Sequence, residues 1–371
     1  MSESRLGRAF RAYLLPGIVF QSVLIGGAYA TGREIVEYGA QYGAAGVWCI
    51  VALGLGFSVM AVLTFEFARR HRTYDYRSFM QSLVGPFWPL FDVIYAVMVL
   101  VTVAVVIAAS VRVARSVLGL PEILSIVVVI VLVVVLEVGG RRQIERFKIL
   151  GSVVLYVSFA VFAGVVLAGT WDNVLQVFET AKDVEVPQFG IPALLFVGVL
   201  YVGYNLGAMP ATLFVLDDQH RFRHTLLAGM VTGIMATVPF ILTYLALMGH
   251  YATGDVLSAE VPWLEMLPAN LTAVYAIVIL WTLVETSTGM LHAVIQRVDT
   301  HLYSTGRRRL SRAHAGLLTA AILVAAILVA AVVCSRFGII ALVSRGYGTL
   351  AYGFLLLFAA PLLLRLFTRR L

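Results

Sequence analysis

The sequence predicts an all-α polytopic membrane protein with about ten transmembrane helices, and three observations carry that prediction. The 371-residue chain is 61% hydrophobic and only 13% charged, with a mean hydropathy of +0.94; soluble domains carry roughly 25% charged residues. Apolar runs of about 18 residues or more recur along the whole length, each long enough to cross a bilayer as a helix. The basic residues gather in short clusters between those runs. With about ten spans, 21 of the 27 lysines and arginines fall on one side. By the positive-inside rule this places both termini in the cytoplasm and the chain, multi-pass, in the cell's inner membrane. The net charge of +7 is thus expected to meet a lipid bilayer, and no stretch has the aromatic-interleaved basic character of a nucleic-acid face.

The first span is expected over about Tyr13 to Tyr38. Arg5, Arg8 and Arg11 ahead of it resemble a secretory leader, but the apolar part is too long and lacks a small-residue cleavage site, so it is read as a retained span. The second runs from about Gly43 to Phe67 and ends on Arg69-Arg70-His71-Arg72. Thr73 to Val84 mixes apolar and polar residues as a short interfacial helix does. The third span is about Pro86 to Val117, and the fourth Ile123 to Val138. The fourth is dense in Val and Ile, but an open strand cannot satisfy its backbone in lipid, so helix is expected. A basic cluster (Arg141, Arg142, Arg146, Lys148) precedes the fifth, about Ile149 to Thr170. An acidic loop, Trp171 to Gln188, leads to the sixth, about Phe189 to Leu216, and the seventh follows at Thr225 to Met248. The loop Tyr251 to Pro268 carries acids and no Lys or Arg. The eighth span is about Leu271 to Val298, the ninth Ala313 to Val333 and the tenth Gly338 to Leu366. Cys49 and Cys334 fall inside apolar runs and read as small packing residues.

Two spans carry residues that a helix merely crossing lipid would avoid. The first contains Gly26-Gly27-Ala28-Tyr29-Ala30-Thr31-Gly32-Arg33-Glu34. Glycine costs a helix interior about 1 kcal/mol against alanine, and a charge at membrane depth at least about 2.5 kcal/mol. The sixth contains Gly203-Tyr204-Asn205-Leu206-Gly207, with Pro210 close behind. Both are expected to be discontinuous. They lie half a chain apart, and five spans per half gives the halves opposite orientation: repeat one about 10–170, repeat two about 186–368, within a single domain covering 1–371. Paired broken helices in inverted halves are the sequence pointer to a secondary-transporter site at the repeat interface. On that reading Gly26, Gly27, Tyr29, Thr31, Gly32, Gly203, Tyr204, Asn205 and Gly207 line a small-molecule site. Carbonyls freed near Gly26 would face a cation, and the amides near Gly32 and Arg33 a carboxylate. The competing reading is that these glycines only let helices pack closely.

Arg33 and Glu34 are read as gate or pathway residues, and Glu37 as an ordinary solvated position. In the eighth span Thr282, Glu285, Gly289 and His292 share one helical face. Glu285, an intramembrane acid, is a candidate proton carrier or charge partner of Arg33. Beside it Thr286 and Ser287, with a Gly26 carbonyl, have the donor chemistry of a sodium site. Hydroxyls bonded back to their own helix would need no ion. Arg112 and Glu137 lie near span ends and can snorkel, whereas Arg345 lies deeper and needs a partner. No metal motif, nucleotide loop or nucleophile elbow is present, so neither an enzyme nor a cofactor beyond a sodium ion is expected.

The stretch Gly26-Gly27-Ala28-Tyr29-Ala30-Thr31-Gly32-Arg33-Glu34-Ile35, followed by Tyr38 and Gly43, resembles the first-helix signature of the YkvI-like amino-acid permeases. The resemblance implies the APC superfamily and the LeuT-type fold of five plus five inverted helices. Tyr29, Thr31 and Arg33 depart from the family's Phe, Ser and Gln. Two shorter stretches, Ile144-Glu145-Arg146-Phe147-Lys148-Ile149 and Thr286-Ser287, are similar to the fifth-helix entrance and the eighth-helix sodium hydroxyls of neurotransmitter-sodium symporters. That branch's acidic gate partner in the tenth helix is absent, and Arg345 stands in that helix instead. The expectation is a secondary active transporter (a symporter) of a small amino acid or related amine, coupled to sodium or protons by alternating access. The alternative is a non-transporting membrane sensor on the same scaffold.

Overall fold

A computed structural model describes residues 5–26, 28–139, 141–180, 190–304 and 310–367. Among them every regular element is helical, as a chain must be when its backbone has no water to bond in hydrocarbon. Among the described residues eight helices are long and apolar enough to cross a membrane. The two further spans expected from sequence are the first, which is cut into short pieces, and the ninth, of which Arg312–Ala326 is counted only as a shorter apolar helix. Large apolar side chains face outward along the bundle, among them Leu55, Val93, Ile123, Leu317 and Leu356. An apolar surface of that extent matches contact with lipid tails rather than water.

The first span is α-helical over Leu15–Leu24 and interrupted at Ile25 and Gly26; helix resumes at Ala28–Thr31 and again at Arg33–Tyr38. Gly32, between the last two pieces, has φ +88°. An L side chain there costs about 1–2 kcal/mol, so the residue type and the local geometry agree. The second span, Val47–His71, packs along the sixth and seventh. The interfacial helix is Tyr76–Val84, starting three residues later than expected because Asp75 caps it by accepting a hydrogen bond from the Ser78 amide at 2.9 Å. The third and fourth spans are Trp88–Leu118 and Glu122–Gly139.

The largest departures from the sequence reading lie at the fifth, ninth and tenth spans. The fifth helix runs over Arg141–Glu179, taking in nine residues expected to form loop. Asn173 in this extension donates to the Gly249 carbonyl at 3.0 Å, which ties it to the end of the seventh span, Phe222–Met248. The remaining acids of that loop, Asp183 and Glu185, and the cluster Arg307 to Arg309 lie outside the described residues. The turn expected near Ser335 falls inside the helix Arg312–Ala341, and the tenth element begins at a π-helical Leu342–Tyr347. A lone Gly338 costs a long helix only about 1 kcal/mol and does not end it. The tenth then continues through Gly348–Phe354 to Ala360–Phe367.

The two ends of the bundle are held differently. At the basic end Glu66 accepts from Arg69 (2.9 and 2.6 Å), Arg70 (2.6 Å) and the Thr225 hydroxyl (2.9 Å), joining the second and seventh spans. Gln219 donates to the Ala12 carbonyl at 2.6 Å, and Arg365 to the Ser82 carbonyl at 2.5 Å. At the acidic end two short helices, Asp255–Ser258 and Pro262–Met266, fold over the bundle between the seventh span and the eighth, Ala269–Ser304. Trp263 is fully buried there against Phe159 and Phe162 of the fifth span.

Candidate functional site

The interruption of the first span lies directly against the eighth span. A β-carbon built on Gly26 would lie 1.5 Å from the Thr286 hydroxyl oxygen and 2.5 Å from its β-carbon. Only glycine lets the first span approach the eighth this far. Thr286 and Ser287 are buried, and neither hydroxyl has a hydrogen-bond partner among the described residues. Their neighbours behave otherwise: Thr282 and Thr288 bond back to the carbonyls of Val278 and Val284, at 2.9 and 2.7 Å. The four hydroxyls thus divide, and the two without partners are the two that the sequence pairs with Gly26.

The rest of the interruption is closed by its own hydrogen bonds. The Gly26 amide donates to Leu24 at 3.0 Å, the Tyr29 amide to Gly26 at 3.2 Å and the Gly32 amide to Tyr29 at 2.9 Å. The Arg33 amide donates to the Thr31 hydroxyl at 3.2 Å, so the donors expected to meet a carboxylate are already used. From the eighth span the Tyr275 hydroxyl donates to the Ala30 carbonyl at 3.2 Å. Gly27 lies outside the described residues.

Glu34 and Arg33 face opposite ways. The Arg33 guanidinium donates to the carbonyls of Leu257 (2.6 Å) and Ala259 (3.3 Å) and stands 3.6 Å from Glu37. It pins the acidic-end loop onto the first span, where Pro262 and Trp263 also close over Gly32. Glu37, expected on a solvated face, is the carboxylate of that pin. Glu285, by contrast, lies against Gly151 of the fifth span, beside Trp281. Arg33 and Glu285 therefore do not pair.

Glu34 is buried among tyrosines. It accepts a hydrogen bond from the Tyr204 hydroxyl, and the hydroxyls of Tyr29, Tyr38, Tyr201 and Tyr347 lie within electrostatic reach of the same carboxylate. Tyr204 stacks on Tyr347 with ring centroids 4.8 Å apart, and Tyr38 contacts Tyr201 at 5.2 Å and Tyr204 at 5.7 Å. Tyr38, Tyr201 and Tyr347 were not among the site residues expected from sequence. The available signal was weak: Tyr201 and Tyr204 share a helix face at i, i+3, and Tyr347 stands between Arg345-Gly346 and Gly348-Thr349 within the expected tenth span.

The sixth span supplies two of these tyrosines, Tyr201 and Tyr204, without opening its backbone. Its α-helix, Ile191–Asn205, passes at Leu206 into the 3-10 helix Leu206–Val215. The change of helix type falls within the expected stretch, but Leu206 keeps right-handed torsions (φ −60°, ψ −21°). Gly203 and Gly207 are contact glycines: a β-carbon on the first would meet Leu355, and on the second Met98 and Phe354. Asn205 is buried, and its amide donates to the Tyr201 carbonyl at 2.9 Å.

Polar residues nearer the span ends also find partners. Glu137 is buried and paired with His292, Nδ1 to Oε1 2.9 Å, rather than snorkelling. Arg112 is exposed and lies 3.8 Å from Glu260. Arg345 is exposed, so burial imposes no need for a partner. Among the described residues no group of three or more His, Cys, Asp or Glu is placed to hold a metal ion.

No family model matches the sequence, and no curated protein is matched by it. Solved structures do match over nearly the whole chain. One is a Na+-coupled sialic acid symporter in a substrate-bound outward-open state (TM-score 0.59, 11% identity, 96% of this chain and 86% of that one). Another is the manganese transporter of Eremococcus coleocola (TM-score 0.57, 13% identity, 98% of this chain and 81% of that one). At such identities the likeness is one of fold: the chain has the polytopic helical fold of these membrane transporters.

Proposed function

We propose that the protein is a secondary active transporter of a small amino acid or related amine, working by alternating access and coupled to sodium or protons. The observation that carries the reading is the interrupted first span. On one side of the interruption lie two buried hydroxyls without partners; on the other is a buried acid ringed by tyrosines from the first, sixth and tenth spans. A helix broken at the point where the halves of the bundle meet is the arrangement from which transporter sites are built. The repeats are about 10–170 and 186–368, the membrane is the inner membrane, and the basic end faces the cytoplasm. The Arg33 pin and the Pro262–Trp263 cover then form the outer gate, and the Glu66 network with the Gln219–Ala12 bond the inner one. The YkvI-like resemblance of the first span supports the amino-acid permease class.

Sodium is the coupling ion this geometry favours, because the Thr286 oxygen stands against Gly26 and neither it nor the adjacent Ser287 hydroxyl has a partner among the described residues. An ion bound there joins the first span to the eighth. By mass action it stabilises the folded state by about 2.7 kcal/mol at a hundred times its dissociation constant. Purified protein in sodium should melt higher than in potassium or choline at equal ionic strength. Thr286→Ala with Ser287→Ala should abolish that difference. Equal melting in all three salts, with substrate saturating, sinks the sodium site and leaves proton coupling through Glu34 or Glu285. Flux in proteoliposomes tests transport itself: substrate binding without any flux would leave the sensor reading in its place.

A further inference from the structure

We infer that the substrate is recognised as a cation: an alkyl- or arylammonium ion without a carboxylate, held by Glu34 within the tyrosine ring. The inference deepens the transport reading and rests on it for the site's purpose, but not for its chemistry. Glu34 is 4% exposed and sits where the first, sixth and tenth spans converge. Among the described residues no basic side chain pairs with it, since its neighbour Arg33 is engaged by Leu257, Ala259 and Glu37. An ionised carboxylate taken out of water without a counter-ion is costly. A cationic ligand supplies the missing charge.

The surroundings are suited to an ammonium group in two further ways. The hydroxyls of Tyr29 and Tyr38, 0% and 4% exposed as residues, have no hydrogen-bond partner among the described residues and offer oxygen acceptors to N–H donors. The rings of Tyr38, Tyr201, Tyr204 and Tyr347 form one contiguous aromatic wall, and aromatic faces attract quaternary and primary ammonium ions alike. A carboxylate finds no cationic side chain to match what Glu34 offers an ammonium. The amides of Gly26, Tyr29, Gly32 and Arg33 are consumed within the segment, and the guanidinium is turned away. The site holds a buried acid and, among the described residues, no basic side chain turned towards it, which selects a cation over a zwitterion.

Matched pairs test this directly: alanine with ethylamine, lysine with cadaverine, and tyrosine with tyramine, each amine being its partner without the carboxylate. Thermal stabilisation and equilibrium binding are measured on the purified full-length chain in nanodiscs. At least one amine should bind at least tenfold more tightly than its parent amino acid. Glu34→Gln, which keeps the shape and the Tyr204 contact, should weaken that amine at least tenfold, whereas Glu265→Gln on the outer loop should not. Tyr204→Phe, which removes only a hydroxyl, guards against misfolding of the Gln variant and should weaken the amine severalfold. Parent amino acids binding as well as their amines, no amine binding, or undiminished binding by both Glu34→Gln and Tyr204→Phe overturns the inference. Failure of the transport reading looks different: amines bind through Glu34 but are not moved across proteoliposome membranes. Uptake of amino acids with no amine binding would refute the inference and leave transport standing.

Discussion

The two glycine-rich stretches look alike in sequence and do different work in the fold. In the first span the chain leaves helical geometry at Ile25 (ψ 83°) and turns left-handed at Gly32. In the sixth, the torsions of Asn205 and Leu206 stay right-handed, and only the hydrogen-bonding pattern shifts. Glycine admits two readings, a backbone freedom and a missing side chain, and each occurs here. Gly32 uses the first, while Gly203 and Gly207 use the second. Gly26 uses close approach to another span at the point where its own backbone is interrupted. The consequence is an asymmetric site. The first span moves its polar groups out of the helix, and the sixth presents side chains from an intact one.

The largest effect expected from this comparison is at Gly26. Gly26→Ala places a methyl 1.5 Å from the Thr286 oxygen. Overpacking of a tight contact costs about 1–3 kcal/mol, occasionally more, and at this separation the upper end applies. Melting and denaturant titration in detergent should show a loss of about 3 kcal/mol or more. Thr286→Gly in the same chain should recover most of it, less about 1 kcal/mol for a glycine in the helix. Thr286→Ala, which leaves a β-carbon 2.5 Å away, should recover only part. A Gly26→Ala protein as stable as the parent would show that the first and eighth spans are not in this contact.

Gly32→Ala comes next, at about 1–2 kcal/mol for the left-handed torsion alone. The added methyl would also press on Pro262 and Trp263, each 3.3 Å away, so the strain falls on the outer cover. Loss of stability should therefore be accompanied by faster proteolysis or hydrogen exchange in 255–268. Strain confined to the first span, with that loop's exchange unchanged, would separate the cover from the helix it closes on.

How much of this was legible beforehand follows from the same contrast. Span positions and the location of the first interruption are written in hydropathy and glycine spacing, because lipid admits so few backbone solutions. The contact of Gly26 with Thr286 was reachable from residue chemistry and resemblance. The partners of Arg33 were not, because they are the backbone carbonyls of Leu257 and Ala259, which carry no residue-type signal. The tyrosine ring was missed for a related reason. Tyr38, Tyr201 and Tyr347 are ordinary residues of apolar spans until the fold brings them onto one carboxylate. The extended fifth helix was hidden by the acids within it, which read as loop until Asn173 meets Gly249.

The smallest effect, and the sharpest for the comparison, is expected at Gly207. A methyl there would meet the Met98 sulfur and the Phe354 ring, both at 3.0 Å. These are the far ends of side chains that can shift by a few tenths of an ångström. Against that crowding stands the gain from removing a glycine within helical backbone, roughly 0.5–1 kcal/mol. The two nearly cancel, so Gly207→Ala should change stability by less than about 1 kcal/mol. Transport should fall no further than stability does. If the variant is as stable as the parent but inert in a flux assay, the sixth span needs a torsion at Gly207 that alanine cannot reach. It would then open its backbone in another state of the transport cycle. The two interruptions would be equivalent in function, with this structure catching one open and the other closed.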